Sequence, residues 1–427
     1  MAGSKSRGLR FCMITTFYPP YNFGGDGLFV ERLSRELADR GHTVDVVHCV
    51  DSFRLLGGKR PDRDRPRHPG VTVHPVSSPL GLLSPVATQQ TGLPWFKSRQ
   101  IRRVLERGHD VIHYHNVSLV GGPGILRLGS GIKLYTTHEY WLVCQTHVMY
   151  RFNRSPCQRP LCLPCALSHR RPPQLWRQLG LLQSARREID AFISPCRFGI
   201  DLHRRMGFEA PMVHIPNFVP PVSAEPERWQ AGDASRDPYF LFVGRLEKIK
   251  GLHTIIPLFK QRRRARLLVV GSGSYERQLR KLAGDSSQIR FLGQMAGSRL
   301  RSLFRDAVAL IVPSVCYEVF ALVIAEAFRE RTPALVRNLG GMPELISASG
   351  GGVAYDTEDE LSTWIDRLIE ERPLRDELGV KGHSAYQREW TVEAHLERYF
   401  ALIHELERTG LAAGRRGDRE RNQAAGL

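Results

Sequence analysis

The sequence predicts an α/β protein built as two open parallel sheets with crossover helices, facing each other across a shared cleft. Three observations carry this. Short β-rich apolar runs alternate with longer amphipathic stretches along the chain. The alternation stops across Pro216 to Pro238, a stretch of proline, glycine, serine and aspartate, and then restarts. The length, 427 residues, exceeds what one core usually organises.

In the first half the apolar runs are Arg10 to Thr15, Thr43 to His48, Val71 to Val76, Val111 to His115, Lys133 to Thr137, Ala191 to Ser194 and Met212 to Ile215. Helical patterns lie between several of them. Leu28 to Arg40 is one, and it ends at Gly41 as a helix C-terminus should. In the second half the runs are Tyr239 to Val243, Leu267 to Val270, Ile289 to Leu292, Ala309 to Val312 and Ala334 to Val336. The last helical stretch, Val392 to Arg408, follows Trp390-Thr391 and carries Leu396, Tyr399, Phe400, Ile403 and Leu406 at helical spacing. This divides the chain into a first unit over 1–222 with a cysteine-rich insertion near 144–170, a second unit over 235–390, a helix over 391–408 and a polar, disordered tail over 409–427.

Hydrophobic content of 42% and charged content of 24% are ordinary for a globular protein. No apolar run approaches the roughly 20 residues that span a bilayer. At the N-terminus basic residues precede a short apolar run, but Tyr18, Pro19 and Pro20 end it early and no small-residue cleavage site follows. It reads as a first buried strand, not a signal peptide. The formal charge of +18 is mostly arginine, with clusters at Arg262 to Arg264 and Arg170 to Arg171. A solvated basic surface, an anionic membrane leaflet and anionic substrates all fit it. Nucleic acid is set aside, because no aromatic-interleaved or finger-type motif accompanies the charge.

The chemistry concentrates in the second half. Directly after the strand YFLFV comes GRLEKIKG, from Gly244 to Gly251. A glycine at a strand end lets the backbone turn sharply and approach a ligand. Arg245 and Lys250 then offer two cations at the cleft mouth, one able to fork onto a phosphate and one a mobile point charge. A basic loop without a ligand is an equal reading of the spacing alone. A second turn, Gly271-Ser272-Gly273-Ser274, follows LLVV; its N–H groups suit phosphates, and a plain turn fits as well. After ALIVP come Glu318 and Glu326, the first before an apolar helix start and the second inside it. An apolar helix does not carry a carboxylate such as Glu326 without a partner, and ribose hydroxyls are a suitable one. Free N–H groups around Phe320, Ala321 and Leu322 face an anion.

GRLEKIKG, then VVGSGS, FLGQ, the two spaced glutamates and NLGGMPELI together resemble the retaining glycosyltransferases of family four, over roughly residues 10 to 405. The resemblance implies the GT-B fold, with the C-terminal helix returning to the first domain. It implies a hexose-type donor on UDP or GDP and a glycan, lipid-linked or small-molecule acceptor, with no cofactor required for transfer. Arg245 and Lys250 then bind the donor diphosphate, Glu318 lies near the donor sugar, and Glu326 binds the ribose. The chain departs from the family at Val319 and Ala321, where glycines commonly flank the phenylalanine, and at Arg331, where a glycine often precedes Thr-Pro. Side chains at these places are expected to narrow the donor sugar pocket. Sugar-nucleotide 2-epimerases share the architecture and stand as the alternative activity. Bacterial members elongate lipid-linked glycans at the inner membrane face, so a cytoplasmic, peripheral-membrane location is expected.

In the first half the loop YPPYNFGGDG brings Gly24 and Gly25 before a helix, where the chain is able to cross close to donor phosphates; a mobile surface turn is the other reading. His138 follows the strand KLYTT. Alone, a histidine there is more often structural; by resemblance it contacts the donor sugar near the transfer point. His115 and Asn116 end another strand at the same cleft.

Cys144, Cys157, Cys162 and Cys165 fall within one irregular segment of 22 residues, the last two as C-x2-C. Four thiolates suit a structural zinc ion, with His147 or His169 able to replace one. Free or redox-active thiols and disulfides remain as alternatives. The other four cysteines stand singly in apolar or turn contexts, which favours a reduced compartment.

Overall fold

The computed structural model of the protein describes residues 8–58, 68–222 and 238–409. The first unit contains β1 (Arg10–Ile14), β2 (Thr43–Cys49), β3 (Val71–Val76), β4 (Val111–Tyr114), β5 (Ile132–Thr136), a small hairpin of β6 (Tyr150–Arg151) and β7 (Ser155–Pro156), then β8 (Ala191–Ser194) and β9 (Met212–His214). The second contains β10 (Tyr239–Val243), β11 (Arg266–Val270), β12 (Ile289–Gly293), β13 (Ala309–Val312), β14 (Ala334–Arg337) and β15 (Gly352–Tyr355). The seven-stranded sheet runs β3-β2-β1-β4-β5-β8-β9 and the six-stranded sheet β12-β11-β10-β13-β14-β15. Every pairing in both is parallel.

Both faces of each sheet are covered, which is why the central strands are apolar almost throughout. In β1, Phe11 and Met13 enter one core while Cys12 and Ile14 enter another on the opposite face. Phe240 and Phe242 of β10 are divided in the same way from Tyr239 and Leu241. Period-two alternation thus survives in packing although hydropathy hides it. β15, with its run GGVAY, carried too little apolar signal to be expected from the sequence.

In both sheets the strand order reverses at one place, between β1 and β4 and between β10 and β13. Loops leaving the C-terminal ends of the strands on either side of such a switch diverge and open a crevice. The two crevices face each other.

The chain passes between units twice. Trp390 is buried in the second unit's core, and the following helix, Val392–Arg408, lays Leu396, Tyr399, Leu402 and Ile403 against Phe11, Met13 and Phe29 of the first. Thr391 caps that helix by accepting from the N–H of Ala394. Tyr399 is fully buried, so Tyr399→Ala is expected to cost about 3–5 kcal/mol. Val219 N–H donates to the Trp390 carbonyl at 2.9 Å, which ties the two crossings together. The linker core and the tail beyond Thr409 lie outside the described residues. Among the described residues no helix is long and apolar enough to cross a membrane.

Arg262 leaves the solvated basic surface expected for it. Its guanidinium binds Asp366 and Ser362 and fastens the helix Glu358–Glu370.

Candidate active site

Three loops of the second unit meet at its switch. Gly251 adopts φ 73°, and a Cβ there would lie 1.8 Å from the Pro313 carbonyl oxygen. Gly271 adopts φ 136°, and a Cβ would lie 1.9 Å from the Gly244 carbonyl oxygen. Only glycine permits either conformation and either approach. The loops after β10, β11 and β13 are thereby packed backbone to backbone, with Gly244 and Gly273 in the same seam.

This seam fixes the charged groups. Lys250 Nζ donates to Glu318 Oε1 at 2.6 Å, and Ser314 Oγ donates to the same oxygen at 2.7 Å. Burial opposes both charges. The Glu318 carboxylate nevertheless holds the Lys250 ammonium above its ordinary pKa, and Lys250 and Ser314 hold Glu318 below its own. Both stay ionised near neutrality. Arg245 is more open and pairs with Glu247 at 2.8 Å. Ala321 precedes the helix Leu322–Arg329, whose first N–H groups have no side-chain cap. Phe320 and Leu322 remain partly exposed beside it, and Glu326 lies one turn further on.

Glu326 has a protein partner. Arg32, on the first unit's helix Gly25–Asp39, reaches it at 3.3 Å. The same helix start brings Gly25 so close that a Cβ would lie 3.3 Å from Leu322 Cδ1, with Gly24 just before it. Other contacts span the cleft. Lys248 Nζ donates to the Asn153 carbonyl at 3.2 Å. Glu344 accepts from the N–H of Arg197 at 2.8 Å and from that of Phe198, so a carboxylate of the second unit caps a helix of the first. Arg32, Ser314 and Glu344 were not singled out in the sequence. Arg32 and Ser314 carry no local pattern, and Glu344 sat unused inside NLGGMPELI.

On the first unit's side, His138 follows β5, and its Nε2 lies 3.0 Å from His115 Nδ1. His113 Nδ1 meets the Tyr399 hydroxyl at 3.0 Å, and its Nε2 meets Thr136 Oγ1 at 2.8 Å. The His115 ring stacks on that of His138, and the His113 ring lies tilted against His115 with centroids 4.0 Å apart. Burial, and secondarily His395, lowers His138 to about 3. Burial, then the neighbouring imidazoles, puts His113 and His115 well below the ordinary histidine value. His138 is therefore a neutral hydrogen-bonding group near pH 7, not a cation. Asn116 Nδ2 contacts Asp26 Oδ2 at 3.4 Å, and burial, then Glu139, raises that carboxyl.

The three departures from the family sit elsewhere than expected. Arg331 lies just past the helix Leu322–Arg329 at φ 62°, before β14 begins and so at the end of the sheet away from the crevice. A glycine there serves the left-handed turn after the helix, so Arg331 does not narrow a sugar pocket. Val319 is buried among Tyr140, Met149, Cys196 and Leu202 of the first unit, and Ala321 is buried in the second unit's core.

Cys144, Cys157, Cys162 and Cys165 line a single pocket beside this cleft. Burial, then Cys144, Cys165 and Cys162, pushes the Cys157 thiol up to about 11. All four are free thiols, and among the described residues no group of three or more histidine, cysteine, aspartate or glutamate side chains is placed so that it could hold a metal ion.

Comparison with known proteins agrees with the geometry. Residues 23–222 match the family described as Glycosyltransferase Family 4, and residues 223–384 match Glycosyl transferases group 1. An uncharacterised glycosyltransferase of Methanocaldococcus jannaschii is 32% identical over 392 residues, 86% of this chain and 91% of that protein. Sucrose-phosphate synthase from Thermosynechococcus elongatus shares the fold with a TM-score of 0.71 at 20% identity, over 94% of this chain and 100% of that one. The Anabaena protein HepE, solved with UDP-glucose, aligns with a TM-score of 0.62 at 16% identity, over 92% and 99% of the two chains. The epimerase alternative finds no support among these. The chain belongs to the glycosyltransferases of family four and has their GT-B architecture.

Proposed function

We propose that the protein transfers a hexose-type sugar from a UDP- or GDP-sugar to a glycan, lipid-linked or small-molecule acceptor with retention of anomeric configuration. The observation that carries this is Lys250 held on Glu318 at the second unit's crevice, with Arg245 close enough to lower the same carboxyl and Arg32 of the first unit reaching Glu326 across the cleft. The HepE complex with UDP-glucose, a protein of the same fold, supports a nucleotide-sugar donor.

The donor's diphosphate sits at the seam of glycine loops, with Arg245 and Lys250 on its oxygens. The bond from the sugar's anomeric carbon to the phosphate oxygen breaks, and its electron pair stays on that oxygen. The acceptor oxygen bonds to the same face of the anomeric carbon, and its proton passes to the departing phosphate. The two cations stabilise the charge that grows on the diphosphate, typically worth about 10²–10³-fold in rate for one well-placed group. His138 hydrogen-bonds the sugar, and Glu326 exchanges Arg32 for the ribose hydroxyls.

A membrane-facing acceptor draws support from one surface. Leu80, Leu82, Leu83, Val86, Trp95 and Phe96 are exposed in one segment, followed directly by exposed Arg99, Arg102 and Arg103. Apolar side chains beside arginines suit an anionic leaflet.

The test has two steps. A panel of UDP- and GDP-sugars is screened for thermal stabilisation, since a bound donor raises stability by mass action. The stabilising donor is then incubated with candidate acceptors, and the product's anomeric configuration is read by NMR. An inverted product would refute retention. Failure of every nucleotide and sugar nucleotide to raise the melting temperature would remove the donor reading.

A further inference from the structure

We infer that the pocket formed by Cys144, Cys157, Cys162 and Cys165 is a structural zinc site, a four-thiolate knuckle that braces the loop between the two units.

The segment that carries these cysteines buries few apolar groups of its own, chiefly Met149, Tyr150 and Ala166. Its hairpin has two residues in each strand, and its helix, Cys162–Ser168, buries only Cys165 and Ala166. Leu161, Leu163 and Leu167 are exposed. A lobe this small ordinarily needs a covalent or metal staple. It is also strained. Of the six non-glycine residues at positive φ among the described residues, His147, Met149, Phe152, Asn153 and Arg170 belong to this lobe. Each such residue costs on the order of 1 kcal/mol, and the surroundings must over-determine it.

The strain serves one outcome, which is to bring together cysteines from three places. Cys144 enters from the loop after β5, Cys157 follows the hairpin, and Cys162 and Cys165 occupy the first turn of the short helix. The Cys157 N–H donates to the Met149 carbonyl at 2.8 Å and folds the hairpin back on itself. The Phe152 N–H donates to Cys165 Sγ at 3.3 Å, and Thr146 Oγ1 lies 3.3 Å from Cys144 Sγ. Donors aimed at sulfur are the outer contacts that orient thiolate ligands. Arg171 binds the Thr146 carbonyl, and Arg177 spans Trp141, Leu142 and Gln174. Two guanidinium groups beside the lobe suit a site whose four thiolates exceed the ion's charge by two.

A tetrahedral zinc at about 2.3 Å from each sulfur needs the sulfurs about 3.8 Å apart. As placed, the four cysteines line one pocket without forming such a group, so zinc binding must draw their loops together. Each thiol gives up its proton on binding. Four protein ligands leave no open position, so the ion does not touch the reacting groups. Its effect is positional. The Asn153 carbonyl receives Lys248 of the donor loop, and Met149 and Cys157 pack in the cluster that holds Val319, next to Glu318.

The inference is tested on the full chain without a histidine tag, purified with reductant and without chelator. Elemental analysis is expected to find about one zinc per chain. Stripping the metal and adding cobalt is expected to give the intense visible bands of a tetrahedral four-thiolate site, and adding zinc is expected to raise the melting temperature. Cys162→Ser, at an exposed position, is expected to lose most of the metal while keeping the circular dichroism of the fold; Cys12→Ser, far from the pocket, is expected to keep it. A wild-type chain that holds no zinc and takes up none would overturn the inference. So would full metal retention in the Cys162→Ser, Cys165→Ser double variant, or a disulfide found by mass among these cysteines in the reduced protein. None of these readings depends on sugar transfer, so they stand or fall apart from the proposed reaction.

Discussion

Replacing Lys250 by alanine removes the ammonium that lies 2.6 Å from Glu318 Oε1. Two losses follow, and they are separable. The first is structural. Glu318 keeps only the Ser314 hydroxyl at 2.7 Å, in a site where its side chain is 14% exposed. Orphaning one member of a fully buried pair costs about 3–5 kcal/mol. Some solvent reaches both partners, so about 2 kcal/mol is the better expectation. The second loss is catalytic. A departing diphosphate without one of its two cations should slow turnover by about 10²–10³-fold, or roughly 3–4 kcal/mol in the barrier. The double variant Lys250→Ala, Glu318→Gln distinguishes the two, because a neutral amide no longer suffers from the missing cation. Its melting temperature should recover most of the loss while its rate stays low. Initial rates with the donor found by thermal stabilisation, alongside melting curves for all three proteins, give the comparison. Turnover within tenfold of wild type in Lys250→Ala would refute the leaving-group role. Recovery of rate together with stability in the double variant would show that Lys250 acts only through the fold.

Arg32→Ala frees the Glu326 carboxylate from its 3.3 Å partner; UDP affinity is expected to rise about two- to fivefold, the worth of a partly exposed ion pair. Weaker binding in a calorimetric titration would show that Arg32 holds the nucleotide instead of competing with it. Glu344→Ala removes the cap on the helix Arg197–Arg205 and should cost about 1 kcal/mol, seen as a melting temperature lower by about 2–4 °C; an unchanged value would mean the contact is not kept in solution. Acid should destabilise the fold early. Burial lowers His138 to about 3 and His203 and His395 to about 4, and puts His113 and His115 well below 6.5. The unfolded chain binds protons near pH 6.5 that these imidazoles refuse, so their contribution is whole above that pH and is lost as pH falls toward 4. A melting temperature that is flat between pH 7 and 5 would contradict this.

The fold was legible because its information is local. A strand such as Leu267 to Val270, buried on both faces, is a continuous apolar run, and the strand-end glycines mark where loops pack backbone to backbone. Arg245, Lys250, Glu318 and Glu326 were legible for the same reason, since each sits in a motif tied to one strand end. What escaped is long-range. Arg32 and Glu326 are 294 residues apart, and nothing near Arg32 marks it as a partner. The Arg331 expectation failed because a departure from a family motif carries no sign of which end of the sheet it occupies. Its φ of 62° shows that the family's glycine there answers a helix end, not a sugar. Tyr399 shows the opposite case. Helical spacing placed it in the last helix, but only the fold shows its hydroxyl 3.0 Å from His113, inside the histidine cluster that ends at the cleft.

Each cation proposed to meet the donor has a protein partner, and the partners differ in strength. Arg245 pairs with Glu247 while its side chain is 47% exposed, so leaving that pair costs at most about 1 kcal/mol. Lys250 is held against Glu318 at 2.6 Å in a more enclosed place. An ammonium has three N–H donors, so Lys250 is able to bind a phosphate oxygen without releasing Glu318. Arg245 is then the mobile member of the grip and Lys250 the fixed one. Charge that appears only as the glycosidic phosphate departs is best met by a group that need not move to meet it. On the proposed reaction, Arg245→Ala is expected to raise mainly KM and Lys250→Ala to lower mainly kcat, and steady-state kinetics of the two variants with the same effect on both constants would contradict this division of labour.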